Sequence, residues 1–195
     1  ENKEKIRREK SINKNDFIVL FVANGGSKNP WKNYEKFKKI VEALSIIELK
    51  QKVCFYIIGE DGIDEEYGSV LLKRVGWIAS HSQLVRYYQM ADLYLHMSKI
   101  DNFPNAIIEA LSCALPVLAS KVGGIPEQIR EGENGFLLTE KNAQDKAVKV
   151  ILRLMADENL RNEMSSRAYA DAKGRYSEAR MANEYLNWMD KIRSN

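Results

Sequence analysis

Two cysteines, two histidines and four prolines are all that the 195 residues supply of the types that mark disulfide scaffolds, metal centres and proline-rich linkers. Cys54 and Cys113 sit in the apolar contexts KVCFYII and LSCALPV with no ligand spacing between them. They read as buried thiols of a reducing, cytoplasmic compartment, and no metal or cofactor site is expected. No apolar run approaches the about 18 residues of a membrane-spanning helix, and no signal peptide is visible. The chain opens on Glu1 in a mixed-charge stretch, ENKEKIRREK, which reads as a linker or helix of a longer protein. Charge of one sign is lacking as well. The net charge is only +3, from 30 basic against 27 acidic residues. No basic stripe with interleaved aromatics appears, so nucleic acid is not an expected partner.

Several motifs are also missing. There is no G-x-G-x-x-G after the first strand-like run and no G-x-x-x-x-G-K-[ST], which argues against a nicotinamide-type site and a P-loop. There is no nucleophile elbow G-x-S-x-G.

What is present is an ordinary globular composition, 45% apolar, enough to bury a core. Apolar, β-rich runs recur at 17–23, 52–59, 70–77, 92–97, 116–120 and 135–138. Helical spacing lies between most of them, as in WKNYEKFKKIVEALSII with Tyr34, Phe37, Ile40, Val41 and Leu44 on one face. His81 opens another helical stretch in which Tyr87 and Tyr88 read as packing residues. Alternating strands and helices predict an α/β, doubly wound parallel sheet of about six strands. After Leu138 three helical patterns follow one another as a tail. The expected layout is a linker or N-terminal helix over 1–13, one Rossmann-like domain over 14–174, and a C-terminal helix of that domain over 175–195.

Ligands of such sheets bind beyond the carboxyl ends of the strands. Three loops converge on that edge: NGGSKNPWKN with Lys28 and Lys32, SKIDNFPN, and KVGGIPE with its Gly123-Gly124 pair. Lysines and helix-start N–H groups suit phosphates, and a carboxylate suits a vicinal diol, so the inventory fits a nucleoside diphosphate. In DNFPNAIIE, Asp101 precedes a helix expected to start at Pro104, and Glu109 falls in its second turn. Taken alone, such acids are better explained by helix capping and dipole chemistry.

The order of motifs resolves this. The stretch DNFPNAIIEALSCALPVLASKVGGIPEQIREGENGFLL resembles the core of the family-4 retaining glycosyltransferases of the GT-B fold. Their pattern is E-G-F-G-x-x-x-x-E-A-x-A-x-G-x-P-V-x-A-S, then G-G-x-P-E and G-x-N-G. FIVLFVA, NPWKN, FYIIGEDG, RVGW and MADLYLHMS follow the order of that family's earlier motifs, so the resemblance covers about 14–155. It implies the donor-binding, C-terminal Rossmann-like half of a metal-independent, hexosyltransferase-type enzyme. The donor would be a nucleotide sugar such as a UDP- or GDP-sugar, bound as substrate. An N-terminal acceptor-binding domain would be the missing partner, and this half alone is expected to be inactive. The product would be a bacterial-type polysaccharide or glycolipid. The resemblance leaves open a peripheral association of the full-length protein with the cytoplasmic face of a membrane.

By the same resemblance Asp101 faces the donor hexose and Lys32 neutralises the diphosphate, as the catalytic pair. Glu109 holds the ribose diol; the N–H groups of Phe103, Asn105 and Ala106 meet the diphosphate. Trp77 and Ile78 border the nucleobase, core packing being the alternative for Trp77. Asn24 and Lys28 complete the phosphate side, and Glu127 either braces its loop or joins the site. His96, at a strand end, reads as structural. Met181, Tyr185, Trp188, Met189 and Ile192 form an apolar stripe that packs either on this domain or on the missing half.

Departures from the pattern are specific. Asn24 stands near the family's Gly-Arg position, the first acid is Asp, Pro104 replaces a glycine, and Ala114 replaces the glycine before x-P-V. The missing Arg keeps open a nucleotide-sugar-binding module without transferase activity, and a GT-B nucleotide-sugar 2-epimerase is a further alternative.

Overall fold

A computed structural model describes residues 2–23 and 25–193. One sheet runs through the molecule. Its parallel strands are β1 (Phe17–Val22), β2 (Val53–Ile58), β4 (Val70–Gly76), β5 (Leu93–His96), β6 (Val117–Ser120) and β7 (Gly135–Leu138). A seventh strand, β3 (Glu65–Tyr67), pairs antiparallel with β4 at the edge, and the order is β3-β4-β2-β1-β5-β6-β7. The sequence pattern predicts about six strands, and β3 is the difference. Its three residues, EEY, are polar and largely exposed, so no apolar run betrays it. It covers the open edge of β4, which would otherwise present unpaired backbone groups.

Side-chain alternation along β1 divides the core. Phe17, Val19 and Phe21 point to one face, where α2 (Tyr34–Ser45) and α6 (Ala143–Ala156) pack. Phe37 of α2 stacks on Phe21 at 4.5 Å and meets Phe55 edge-on at 5.4 Å. Ile18 and Leu20 point to the other face, covered by α1 (Lys3–Glu9), α3 (His81–Met90), α4 (Asn105–Ser112) and the short α5 (Ile125–Gln128). Every residue of β2 is buried, as expected for a central parallel strand with both faces covered. The helix α7 (Glu158–Arg175) reaches both cores, with Met164 in one and Ala168 and Ala172 in the other.

The N-terminal segment forms a helix pinned to the sheet. Arg7 Nε donates to the Met90 carbonyl at 2.9 Å, and its terminal nitrogen reaches Asp92 Oδ2 at 2.6 Å. The Ile18 N–H donates to the same oxygen at 2.7 Å. Burial alone would raise the Asp92 carboxyl; Lys3 and Arg7 overcome it and hold the group below the usual range. At the other end, no residue of α8 (Glu178–Arg193) is buried. Its stripe, with Trp188 59% and Tyr185 63% exposed, takes no part in this domain's core. Cys54 is buried as expected; Cys113 is half-buried.

Candidate functional site

The loop after β1 must turn sharply to bring its lysines over the sheet edge. Gly25 and Gly26 take positive φ (82° and 49°), and two 3-10 turns follow at Gly26–Lys28 and Pro30–Lys32. Asn29 caps the second turn by accepting from the Trp31 N–H. Glu60, just past β2, receives the Ser27 N–H at 3.1 Å and the Tyr34 hydroxyl at 3.4 Å, fastening the loop from below. The Lys99 N–H donates to the Trp31 carbonyl at 2.9 Å, joining this loop to the one after β5. Lys32 Nζ thereby stands 3.9 Å from Asp101 Oδ2. Lys28 is exposed on the first turn. Asn24 lies outside the described residues.

Asp101 is anchored from inside the sheet. Tyr94, His96 and Ser98 alternate along and just beyond β5, so they share one face. The Tyr94 hydroxyl is 3.0 Å from His96 Nδ1, and His96 Nε2 is 3.2 Å from Asp101 Oδ2 and 3.1 Å from Ser98 Oγ. The His96 hydrogen bond holds the Asp101 carboxyl below its ordinary range, and Lys32 adds to this against the effect of partial burial. Burial holds the His96 imidazole below its ordinary value although Asp101 pulls it upward, so it is neutral at pH 7.

The start of α4 completes the edge. Pro104, expected as the first helical residue, is instead the N-cap, so the helix starts one residue later at Asn105, and no side chain caps this end. Its first N–H groups, including those of Asn105 and Ala106, are therefore uncapped by side chains and carry the positive end of the helix dipole. The buried Gln128 donates from Nε2 to the Pro104 carbonyl at 3.2 Å. The Gly123-Gly124 backbone lies directly on the Asp101–Asn102 turn. A Cβ on Gly123 would fall 1.9 Å from the Asp101 carbonyl oxygen, and one on Gly124 would fall 1.9 Å from that of Asn102. Only glycine permits this contact.

Glu109, one helical stretch away, accepts from the Tyr88 hydroxyl at 3.0 Å. Phe103 is 42% exposed and meets Tyr176 edge-on at 5.9 Å. Trp77 leaves the carboxyl end of β4 and is 69% exposed. That overturns core packing as its role, because β4 ends at Gly76 and the residue beyond it is left largely exposed. Ile78 beside it is partly buried against the core. The Glu127 carbonyl receives the Arg175 guanidinium and the Tyr176 hydroxyl, so its backbone braces α5 against α7. Among the described residues no cluster of three His, Cys, Asp or Glu side chains could share a metal ion. None of their helices is long and apolar enough to cross a membrane.

The chain has known relatives. Over residues 2–171 the chain matches the family Glycosyl transferases group 1. The chain belongs to the group 1 glycosyltransferases. One relative is the N,N'-diacetylbacillosaminyl-diphospho-undecaprenol alpha-1,3-N-acetylgalactosaminyltransferase of Campylobacter jejuni, 29% identical over all of this chain and 56% of the relative. Another is the N-acetyl-alpha-D-glucosaminyl L-malate synthase of Bacillus anthracis, 23% identical over 92% of this chain and 47% of that protein. The chain spans about half the length of these relatives.

Solved structures share the fold. Anabaena HepE in complex with UDP superposes with a TM-score of 0.74 at 22% identity, over 97% of this chain and 52% of that one. The C-terminal domain of a group 1 protein from Francisella tularensis gives 0.69 at 17% identity, over 91% of this chain and 94% of that domain. As in other group 1 glycosyltransferases, the sheet and its helices form a Rossmann-like GT-B unit. The family match ends at Asp171, so α8 lies beyond it.

Three features of this candidate site are poorly legible in sequence: the His96 link, the Tyr88 hydroxyl on Glu109, and the Gln128 brace. The first had a signal, since Tyr94, His96 and Ser98 alternate into Asp101. The second and third join segments distant in the chain, and no local pattern predicts them.

Proposed function

We propose that this chain is the donor-binding, C-terminal half of a family-4 retaining glycosyltransferase, acting on a nucleotide sugar and a glycan or glycolipid acceptor. The observation that carries the reading is the meeting of Lys32, Asp101 and the uncapped start of α4 at one sheet edge. Lys32 and the N–H groups of Phe103, Asn105 and Ala106 take the diphosphate, as lysines and helix N-termini do. Lys28 adds charge from the same loop. Glu109, braced by Tyr88, accepts from both ribose hydroxyls. The exposed Trp77 and neighbouring Ile78 border the nucleobase. Asp101 receives the sugar hydroxyls.

Stabilising the departing nucleoside diphosphate is electrostatic work, and Lys32 with α4 supplies it in a preorganised form. The acceptor and the rest of the closed site come from an N-terminal half. Proximity and orientation are worth roughly 7–11 kcal/mol of barrier, so residues 1–195 bind donor and transfer nothing unaided. Calorimetric titration with UDP- and GDP-sugars, followed by transfer assays on a protein containing both halves, tests the reading. Failure of this chain to bind any nucleoside diphosphate would overturn it. Binding without transfer by the two-half protein would favour the non-catalytic module.

A further inference from the structure

We propose that His96 is a positioning residue, turning the Asp101 carboxylate toward the sugar end of the bound donor. This deepens the donor-site reading above and rests on it.

The argument starts from a buried polar chain. His96 is 1% exposed and Tyr94 is wholly buried, yet both direct polar atoms along one line toward the site. A buried imidazole needs partners for both nitrogens, or it loses hydrogen bonds it would make in water. Burial raises the Tyr94 hydroxyl far above its ordinary value, so the phenol keeps its proton and donates to Nδ1. With Nδ1 accepting, the neutral ring carries its hydrogen on Nε2, and that hydrogen faces Asp101 Oδ2. The tautomer is thus set by a residue two positions back on the same strand.

The consequence falls on Asp101, which sits on a loop with its side chain only 23% exposed. His96, Ser98 and Lys32 all address the same oxygen, Oδ2, at 3.2, 3.5 and 3.9 Å. Fixing one oxygen from beneath orients the other, Oδ1, which becomes the acceptor offered to a ligand hydroxyl. A carboxylate held in this way loses less rotamer freedom on binding than a free one. His96 belongs to β5, a strand in register with β6 through His96↔Ala119, so the anchor is tied to the sheet rather than to the loop it steers.

A filler of the core and a positioning residue differ in what their loss affects. Removing the imidazole hydrogen bond while keeping ring volume should spare the nucleoside diphosphate and harm the sugar contact. The test compares the purified chain with His96→Phe, His96→Gln and Asp101→Asn, each checked by thermal melting. Each is titrated with UDP, GDP and a panel of UDP- and GDP-sugars. The readout is the affinity of the tightest nucleotide sugar divided by that of its nucleoside diphosphate. His96→Phe and Asp101→Asn should lower this ratio by about tenfold while diphosphate affinity stays within about twofold. His96→Gln, which keeps a donor near the Nε2 position, should recover most of it. An unchanged ratio in His96→Phe, or equal losses for sugar and diphosphate in a folded variant, overturns the proposal. If the unaltered chain binds no nucleoside diphosphate, the donor-site reading itself has failed and this inference falls with it.

Discussion

The Tyr88 hydroxyl donates to Glu109 Oε2 at 3.0 Å, so a carboxylate projecting from α4 is held in place by α3. Tyr88 is buried and meets Tyr94 edge-on at 5.6 Å. Through that ring pair the supports of Glu109 and Asp101 share one block of core. Glu109→Ala should weaken nucleoside diphosphate binding by ~1–3 kcal/mol, the scale for a charged hydrogen-bonding group. Tyr88→Phe removes only the brace and should cost less, roughly 0.5–1.5 kcal/mol. Calorimetry on folded variants checks both, and wild-type affinity in Glu109→Ala would remove it from the ribose position.

Lys32 stands beside Asp101 at the diphosphate end of the proposed site. Lys32→Ala should reduce affinity for the diphosphate much more than for the bare nucleoside, and the difference should shrink at high salt. Titrating nucleoside, monophosphate and diphosphate forms of one base makes the comparison. Parallel losses across the three would exclude a phosphate role.

Gly124 touches the Asn102 carbonyl so closely that any side chain must displace backbone. Gly124→Ala is expected to destabilise the domain by ~1–3 kcal/mol, as overpacking does. It should weaken nucleotide binding too, because the turn it pushes carries Asp101. Denaturant unfolding and calorimetry measure the two effects, and a variant normal in both would mean the loop moves freely.

Ala114 ends α4 in a left-handed conformation, φ 57°. The Ala114 N–H donates to Leu111 and the Leu115 N–H to Ala110, the paired bonds of a Schellman motif. An alanine there is strained, so Ala114→Gly should stabilise the chain by about 1 kcal/mol. The midpoint of urea unfolding should rise with an unchanged slope. A lower midpoint would show that the strain is relieved elsewhere.

Stability should depend on pH in two windows. Burial keeps the folded His96 below its ordinary 6.5, with Lys32 acting in the same direction and the Asp101 hydrogen bond opposing; Tyr94 and Ser98 are its uncharged partners. The unfolded chain therefore binds a proton first as pH falls below about 6.5. His96 contributes fully above that value and its contribution is lost down to its folded pKa. Asp92 and Asp101 are held below their ordinary 3.8. Their contribution is present above that value and is lost as pH falls through their folded values. Unfolding free energies measured from pH 8 to 3 should show both declines, and His96→Phe should abolish the upper one. Equal slopes between pH 6.5 and 5 in the two proteins would contradict this.

Local chemistry determined much of this protein in advance. Apolar runs of four to eight residues with helical spacing between them dictated the parallel strands and their covering helices, because a short, continuously apolar run suits a strand covered on both faces and a 3.6-residue period suits a helix that buries one. The acids of DNFPNAIIE, Lys32 and the Gly123-Gly124 pair were visible as residue types suited to a diphosphate and a diol. Three matters waited for tertiary structure. The edge strand β3 is polar and forms only because β4 offers it backbone partners. Trp77 could have been core or surface, since its exposure depends on where β4 ends at the sheet edge rather than on its neighbours in the chain. The supports of the two acids, Tyr88 under Glu109 and Tyr94 through His96 under Asp101, exist only once the sheet has brought their elements together. A hydrogen bond across 21 positions is closed by the fold, at an entropic cost that no local pattern records.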